Sequence, residues 1–497
     1  MVSSTGQQFI AGKRRPGTSG TRHSVVNPAT GEVVDSDILA GPEDVHEAVA
    51  SARAAFHDWS KATPSERSLA LIRLADLLED RSEEFARAES DSGGKPIRLT
   101  REFDVPGTID NVRFFAGAAR NPEGRAAAEY SGDHTSYVRR EPVGVVGSIA
   151  PWNYPLQMAA WKVLPAIAAG NTVVLKPSEL TPLTAVMFAE AAQEAGIPDG
   201  VINVVTGSGT IAGQALVTHP DIAMVSFTGS TAVGRRIAEQ AAGMVKRVHL
   251  ELGGKAPFVV FDDADLDAAS RGAVAGALIN AGQDCTAATR AYVQRPLYDA
   301  FVQRVAALMD DVRLGPVDDP ATDMGSLITF NQRDRVAAMV EAARAAGATV
   351  VRGGRSPGGT LERGAYYEPT LITGAAQNSP VVQQEIFGPV LVCIPFDSDD
   401  EALRLANDTP YGLAASAWTR SVLRAGRASR EIQAGCVWIN DHIPMASEMP
   451  HGGYKASGFG KDMSAYAFEE YTNIKHVMTD ITGVPRKAWH DVVFTSH

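Results

Sequence analysis

From Val143 onward the chain alternates short runs of β-branched residues with longer Ala-rich segments, and this alternation restricts the fold more than any other feature. The runs are VGVVGSIA, TVVLK, VINVV, IAMVSFT and RVHLEL, and the segments between them have helical composition. Strands that alternate with helices call for a parallel, doubly wound α/β sheet covered by helices on both faces. Such a sheet binds ligands beyond the C-terminal ends of its strands, so residues at those ends are the first candidates for function. A second α/β series begins at PFVVF, residues 257–261, and continues through residues 282–286 to about residue 450. Upstream, Thr63, Pro64 and Glu66 form a capping box with proline at the first helical position, followed by Leu71, Leu74 and Leu78 at helical spacing. That helix is expected to stop at Gly93-Gly94.

With 497 residues the chain has room for two or three domains and a large core. It carries 46 Lys+Arg against 58 Asp+Glu, a formal net charge of −12, which gives no general attraction to nucleic acid. The three cysteines, Cys285, Cys393 and Cys436, are too few and too scattered for a disulfide framework, a reduced usage that points to the cytoplasm. The N-terminal MVSSTGQQFIAGKRR lacks an apolar signal region, and the most apolar stretch, residues 156–170, is interrupted by Lys162 and Pro165. Neither export nor a membrane anchor is expected.

Several strand ends carry candidate chemistry. Residues 207–212, GSGTIA, fit the G-x-G-x-x-G/A fingerprint, but no acidic residue closes a following strand about 20 residues on, so a tight turn explains them as well. A better ribose anchor follows TVVLK, where Lys176-Pro177-Ser178-Glu179 places a carboxylate that would repel a 2′-phosphate and favour NAD over NADP. The run Phe227-Thr228-Gly229-Ser230-Thr231-Ala232-Val233-Gly234 leads into a helix whose start could hold a pyrophosphate. Cys285, in a small-residue segment, is either a nucleophile at a tight turn or a structural thiol. Glu251 is either a general base or a plain strand-end carboxylate. Asn153, between Pro151 and Pro155, is either an oxyanion donor or a turn residue. No closely spaced His/Cys cluster signals zinc, and no metal is expected.

Together PWNYP, VLKPSE, FTGSTAVG, ELGGKAP, NAGQDC, EIFGPV and GGYKASGFGKD resemble, in order, the motif series of the aldehyde dehydrogenase superfamily. The resemblance implies an NAD-binding domain at 1–126 and 145–256, a catalytic domain at 257–452, and an oligomerisation arm with a tail at 127–144 and 453–497, in a homodimer or homotetramer. It makes Cys285 the nucleophile, Glu251 the base that activates water, and Asn153 an oxyanion donor beside the Cys285 backbone N–H. It assigns the adenosine ribose to Lys176 and Glu179, the pyrophosphate region to Ser230 and Thr231, the cofactor wall to Trp152, and the nicotinamide ribose and ring to Glu385 and Phe387. Pro151, Ser178, Gly209, Gly229, Val233 and Leu252 join the same cofactor site, with Gln332 and Arg335 near its second ribose. Asp462, where many members have Glu, receives no role.

The segment GQDCTAATR and the run VWINDHIPMASEMPHGGYKASGFGK are most similar to the gamma-aminobutyraldehyde dehydrogenases, which oxidise omega-aminoaldehydes from polyamine breakdown. An ammonium at the far end of a short aldehyde needs a carboxylate or an aromatic face. The acidic candidates are Asp284, Glu448, Asp104 and Asp110, and the aromatic ones Tyr154, Trp161 and Trp438; solvated carboxylates, and Asp284 capping its own loop, are the plainer alternatives. Betaine aldehyde dehydrogenase, or another NAD(P)-dependent aldehyde dehydrogenase, is the competing reading. A CoA-acylating enzyme would not need Glu251, and a binding protein without chemistry would not need Cys285, Glu251 and Asn153 together.

Overall fold

The computed structural model describes residues 7–494. The opening MVSSTG of the N-terminal segment and the last three residues of the tail lie outside the described residues.

The five runs form the strands Val145–Ile149, Thr172–Lys176, Ile202–Val204, Ile222–Thr228 and Arg247–Glu251, all parallel. The first three progress outward in one direction and the last two in the other, so the order reverses between Val145–Ile149 and Ile222–Thr228. That reversal opens a crevice at the C-terminal edge, between the loops carrying Asn153 and Gly229. The strand residues are buried almost throughout because helices cover both faces, which is why they read as continuous apolar runs. Three short antiparallel strands, Gln8–Ile10, Lys13–Arg15 and Gly458–Phe459, complete the sheet at its two edges.

A second sheet contains Ala256–Val260, Ala288–Gln294, Thr370–Thr373, Val390–Phe396, Ala414–Trp418 and Cys436–Ile439 in parallel, with Thr349–Arg352 antiparallel at one edge. A third sheet pairs Ala128–Ser131, His134–Pro142 and Thr472–Asp480, the last two antiparallel from Thr472 opposite Pro142 to Asp480 opposite His134. Residues 453–471, grouped above with the arm, lie elsewhere. Gly458–Phe459 adds to the first sheet beside Leu250 and Glu251, and the helix Ser464–Glu470 packs on Val105–Ala118 and Pro155–Ala168.

Thr63 caps the helix Pro64–Asp80, accepting from the Glu66 N–H while the Glu66 carboxylate accepts from the Thr63 N–H at 2.7 Å. The helix does not run on to Gly93. Arg81 leaves helical geometry, and a separate helix, Ser82–Gly93, turns Phe85 and Ala86 into the same core as Leu71, Leu74 and Leu78. Among the described residues no helix is long and apolar enough to cross a membrane.

Candidate active site

Glu251, Thr228, Asn153 and Lys176 all stand at or just beyond C-terminal strand ends of the first sheet, and Cys285 reaches the same crevice from the second unit on the turn before Ala288–Gln294. Three consecutive left-handed residues, Asn280, Ala281 and Gly282, form that turn, with φ of 50°, 55° and 69°. For a residue with a Cβ this costs about 1–2 kcal/mol each, so surrounding bonds must hold it. They do: Asn280 Nδ2 donates to the Asn153 carbonyl at 2.8 Å, Gln283 Nε2 donates to the Asn280 carbonyl at 3.0 Å, and the Ile328 N–H donates to Gln283 Oε1 at 2.8 Å. Gly254 lies so close that a Cβ there would sit 2.0 Å from the Cys285 carbonyl oxygen.

The resulting cavity, about 220 Å³, is shared by Cys285, Glu251, Asn153, Asp284, Glu385, Phe387, Trp152 and Trp161. Asn153 Nδ2 donates one hydrogen to the Gln283 carbonyl at 3.1 Å, which fixes the amide plane and leaves its second hydrogen free. Glu251 is buried with Oε1 unbonded, 3.7 Å from His451 Nε2. The Cys285 thiol is held well above its ordinary pKa by burial first, then by the negative charges of Glu251, Asp284 and Glu385. The neutral thiol is therefore the favoured form.

The cofactor candidates gather on the other side. Pro151, Trp152, Gly229, Ser230, Leu252, Glu385 and Phe387 share the cavity lining with Gln332 and Arg335. Trp152 meets Phe387 edge to face at 5.3 Å. Glu385 accepts from the Gly254 N–H at 2.9 Å, and burial, reinforced by Glu251, raises its pKa to about 7. Gln332 donates to the Phe387 carbonyl at 2.8 Å and Arg335 to the Glu385 carbonyl at 3.3 Å, so both hold the loop that carries those two residues. Ser230 caps the helix Thr231–Ala242, Val233 lies in its first turn, and Thr231 donates to the Ala456 carbonyl at 3.3 Å. Lys176 is buried beside Ser178 and donates to the carbonyls of Pro177 at 2.8 Å and Gly207 at 2.7 Å, with the Glu179 carboxylate 3.5 Å away. Burial lowers the Lys176 pKa, and Glu179 opposes the shift. The 207–212 turn and the Lys176 strand end thus form one place, and a Cβ on Gly209 would meet nothing within 4 Å. A dinucleotide fits these residues: Thr228 Oγ1 is a buried hydroxyl in the cavity wall with no partner, and the exposed helix start at Ser230 offers N–H groups.

The amine-anchor candidates separate. Asp284 lines the cavity but also caps its own loop, accepting from the Thr286 N–H and hydroxyl at 2.7 Å each and from the Tyr154 hydroxyl at 2.8 Å. Tyr154 lines the cavity too, yet its ring already faces Lys95 Nζ at 4.0 Å. Asp104 is fully buried and ion-paired with Lys95 at 2.6 Å, so it has no charge to offer a ligand. Asp110 accepts from the Ser447 hydroxyl. Glu448 is exposed and outside the cavity lining, because Ser447 beside it is tied to Asn111 and Asp110 and turns the loop away. Trp438 donates to the Pro444 carbonyl and likewise does not line the cavity.

Sequence reasoning missed Phe103, Gln157, Met158, Met445 and His451, which also line the cavity. The only signal for His451 was a histidine held between Pro450 and Gly452-Gly453 in a motif already singled out. It also gave no role to Asp462, which is fully buried, accepts from Lys162 Nζ at 2.9 and 3.0 Å, and pairs its backbone with that of His451 in both directions, at 2.7 and 2.8 Å.

A thiol, a carboxylate and an amide donor share one cavity with residues that a dinucleotide fits. The aldehyde dehydrogenase family model matches residues 15–477, and the chain belongs to that family. It is 40% identical over 482 residues to the Bacillus subtilis protein named "Putative aldehyde dehydrogenase DhaS", covering 97% of each. An aldehyde dehydrogenase from Bacillus cereus, solved as its NAD+ complex, superposes with a TM-score of 0.93 at 41% identity over 96% of each chain. Betaine aldehyde dehydrogenase from Staphylococcus aureus, also with NAD+, superposes with a TM-score of 0.95 at 36% identity, covering 97% of this chain and 96% of that one.

Proposed function

We propose that this chain oxidises an aldehyde bearing a cationic nitrogen at its far end, with 4-aminobutanal as substrate and NAD as cofactor. The observation that carries the chemistry is the opening of Cys285, Glu251 and Asn153 onto one cavity. Glu251 takes the Cys285 proton, and the thiolate adds to the aldehyde carbonyl. The oxygen that becomes negative is received by the free Asn153 hydrogen and the Cys285 N–H. NAD, when bound, supplies the acceptor for the hydride that leaves the adduct carbon. Glu251 passes that first proton to solvent, then takes a proton from the water that attacks the thioester and returns it to the departing thiolate, releasing the acid and restoring the thiol.

The substrate class rests on the aromatic wall of Phe103 and Trp161 and on Asp284 as the one carboxylate of the amine-anchor set that lines the cavity. NAD is supported by the Glu179 carboxylate beside Lys176 and by the NAD+ complexes of the two relatives. Betaine aldehyde is the second reading, favoured by the Staphylococcus aureus relative. Exposed apolar residues along the arm and tail, Ile474, Met478 and Trp489 among them, support self-association as a dimer or tetramer.

The test is NADH formation from 4-aminobutanal, betaine aldehyde and butanal, with NADP and Cys285→Ala as controls. The proposal expects the highest kcat/KM for 4-aminobutanal with NAD, lost in Cys285→Ala. It also expects Asp284→Asn to reduce the ratio of amino to plain aldehyde turnover and Glu448→Gln to leave it unchanged. A preference for butanal would refute the substrate class, and turnover by Cys285→Ala would refute the mechanism.

A further inference from the structure

Glu251, Cys285 and His451 are 34 and 166 residues apart in sequence, yet one donor atom of each lies within 4.8 Å of the other two. Two of the three atoms are stranded: Glu251 Oε1 and His451 Nε2 are buried, on residues only 2% and 4% exposed, and neither has a hydrogen-bond partner. Leaving buried polar groups unpaired is unfavourable, so the pair points to something that enters between them.

We propose that Cys285, Glu251 and His451 form a zinc-binding site, and that an ion held there reversibly blocks the enzyme. Tetrahedral zinc with bonds of about 2.0 Å to nitrogen and oxygen and about 2.3 Å to sulfur sets its donors about 3.3–3.6 Å apart. The Glu251–His451 pair at 3.7 Å needs to close by about 0.4 Å, and Cys285 Sγ by about 1.2 Å or less. Three protein donors leave the fourth position to water, which the cavity can supply.

The charges balance. The thiol releases its proton to solvent as the Zn–S bond forms; thiolate and carboxylate then neutralise the dication, and the imidazole binds neutral. Asp284 and Glu385 line the same cavity as the three donors, so the carboxyl groups around the site suit a cation. The thiolate–imidazole pair selects zinc over magnesium or calcium, which demand oxygen donors. The His451 ring is set in place by Trp161, 5.1 Å away, and its backbone by the two bonds to Asp462. Binding needs only the three side chains. The inhibition rests on the reading of Cys285 and Glu251 as nucleophile and base, since both would be occupied at once.

The experiment titrates the full-length protein with Co2+ and follows the thiolate-to-cobalt charge-transfer band, then measures Zn2+ affinity by competition with a chromophoric chelator. One ion per chain is expected. Cys285→Ser should abolish the band, and Cys436→Ser should leave it intact. His451→Phe and His451→Gln should each weaken Zn2+ by about 100-fold or more, beyond what loss of an outer-shell partner costs. Zn2+ should also compete with the aldehyde, slow alkylation of Cys285 by iodoacetamide, and be reversed by EDTA. No band in the wild type, or His451 variants that bind Zn2+ as tightly as the wild type, would overturn the proposal. A His451-dependent band in a protein that oxidises no aldehyde would uphold the site and refute the proposed function. Cys285-dependent oxidation with no band would do the reverse.

Discussion

Replacing Asn153 by alanine isolates the oxyanion donor, because the structure separates the two jobs of its amide. One Nδ2 hydrogen holds the Gln283 carbonyl at 3.1 Å, and the other faces the cavity. Losing the first does not strand the Gln283 oxygen, which still receives Asn280 Nδ2 at 3.2 Å. The stability cost is therefore that of one net hydrogen bond, about 1 kcal/mol. Losing the second removes a donor that strengthens only as the carbonyl oxygen becomes negative, and such a donor is worth about 10²–10³ in kcat, or ~2.7–4 kcal/mol. Asn153→Ala should thus lower kcat by that factor while the aldehyde KM barely moves, since the interaction is absent from the ground state. Asn153→Asp should be worse than alanine, because it adds a carboxylate to a site already holding Glu251, Asp284 and Glu385 and sets an acceptor against the Gln283 carbonyl. Steady-state kinetics of the three proteins, with urea unfolding to confirm the small stability change, decides the matter. A kcat for Asn153→Ala within tenfold of the wild type, or a loss confined to KM, would refute the reasoning.

Glu251→Gln removes the base that both frees the Cys285 thiolate and activates water, so NADH should appear without a burst and at a steady-state rate about 10²-fold or more below wild type, visible in rapid mixing. Glu385, with its pKa at about 7, should lose its acceptor capacity as pH falls from 8 to 6. The KM for NAD should then rise over that interval and stay flat in Glu385→Gln, as pH-dependent kinetics would show. Asp462→Asn should cost about 3–5 kcal/mol, because it leaves Lys162 buried without its anion, while the double change Asp462→Leu with Lys162→Met should recover most of that loss in urea unfolding. Burial pushes the Asp462 pKa up, but Lys162 and His249 outweigh it and hold it below the carboxylate range; that stability is present above about pH 4 and lost below it. Burial and Lys162 pull the His249 pKa down, but Asp462 and Glu470 outweigh them and raise it; that stability is complete below about pH 6.5 and lost as pH rises through the folded value. The gap between wild type and Asp462→Asn should accordingly be widest between about pH 4 and 6.5.

What the sequence revealed and what it hid follow from the range of the interactions involved. The five parallel strands were legible because burial on both faces forces an unbroken β-branched run, a local signature. Gly458–Phe459 was not, because two residues carry no pattern and their place beside Leu250 and Glu251 is set by partners some 200 residues away. Cys285, Glu251 and Asn153 were each equivocal alone and informative as an ordered set. Glu448 and Asp104 show the opposite failure: their charge was visible, but whether it faced the cavity depended on the bonds of Ser447 to Asp110 and Asn111 and of Asp104 to Lys95, which no spacing rule reveals.

Lys162 makes the same point most sharply, since in the sequence it only interrupted the most apolar stretch of the chain. The helix that holds it, Pro155–Ala168, is buried on every side, and a lysine in that setting requires an anion. The anion is Asp462, 300 residues later, at the position given no role. Because Asp462 also pairs its backbone with that of His451, the lysine that breaks the apolar run fixes the histidine beside Glu251. The cost of burying that charge is thus tied to the geometry of the site, and Lys162→Met should disturb Zn2+ binding at His451 as well as stability.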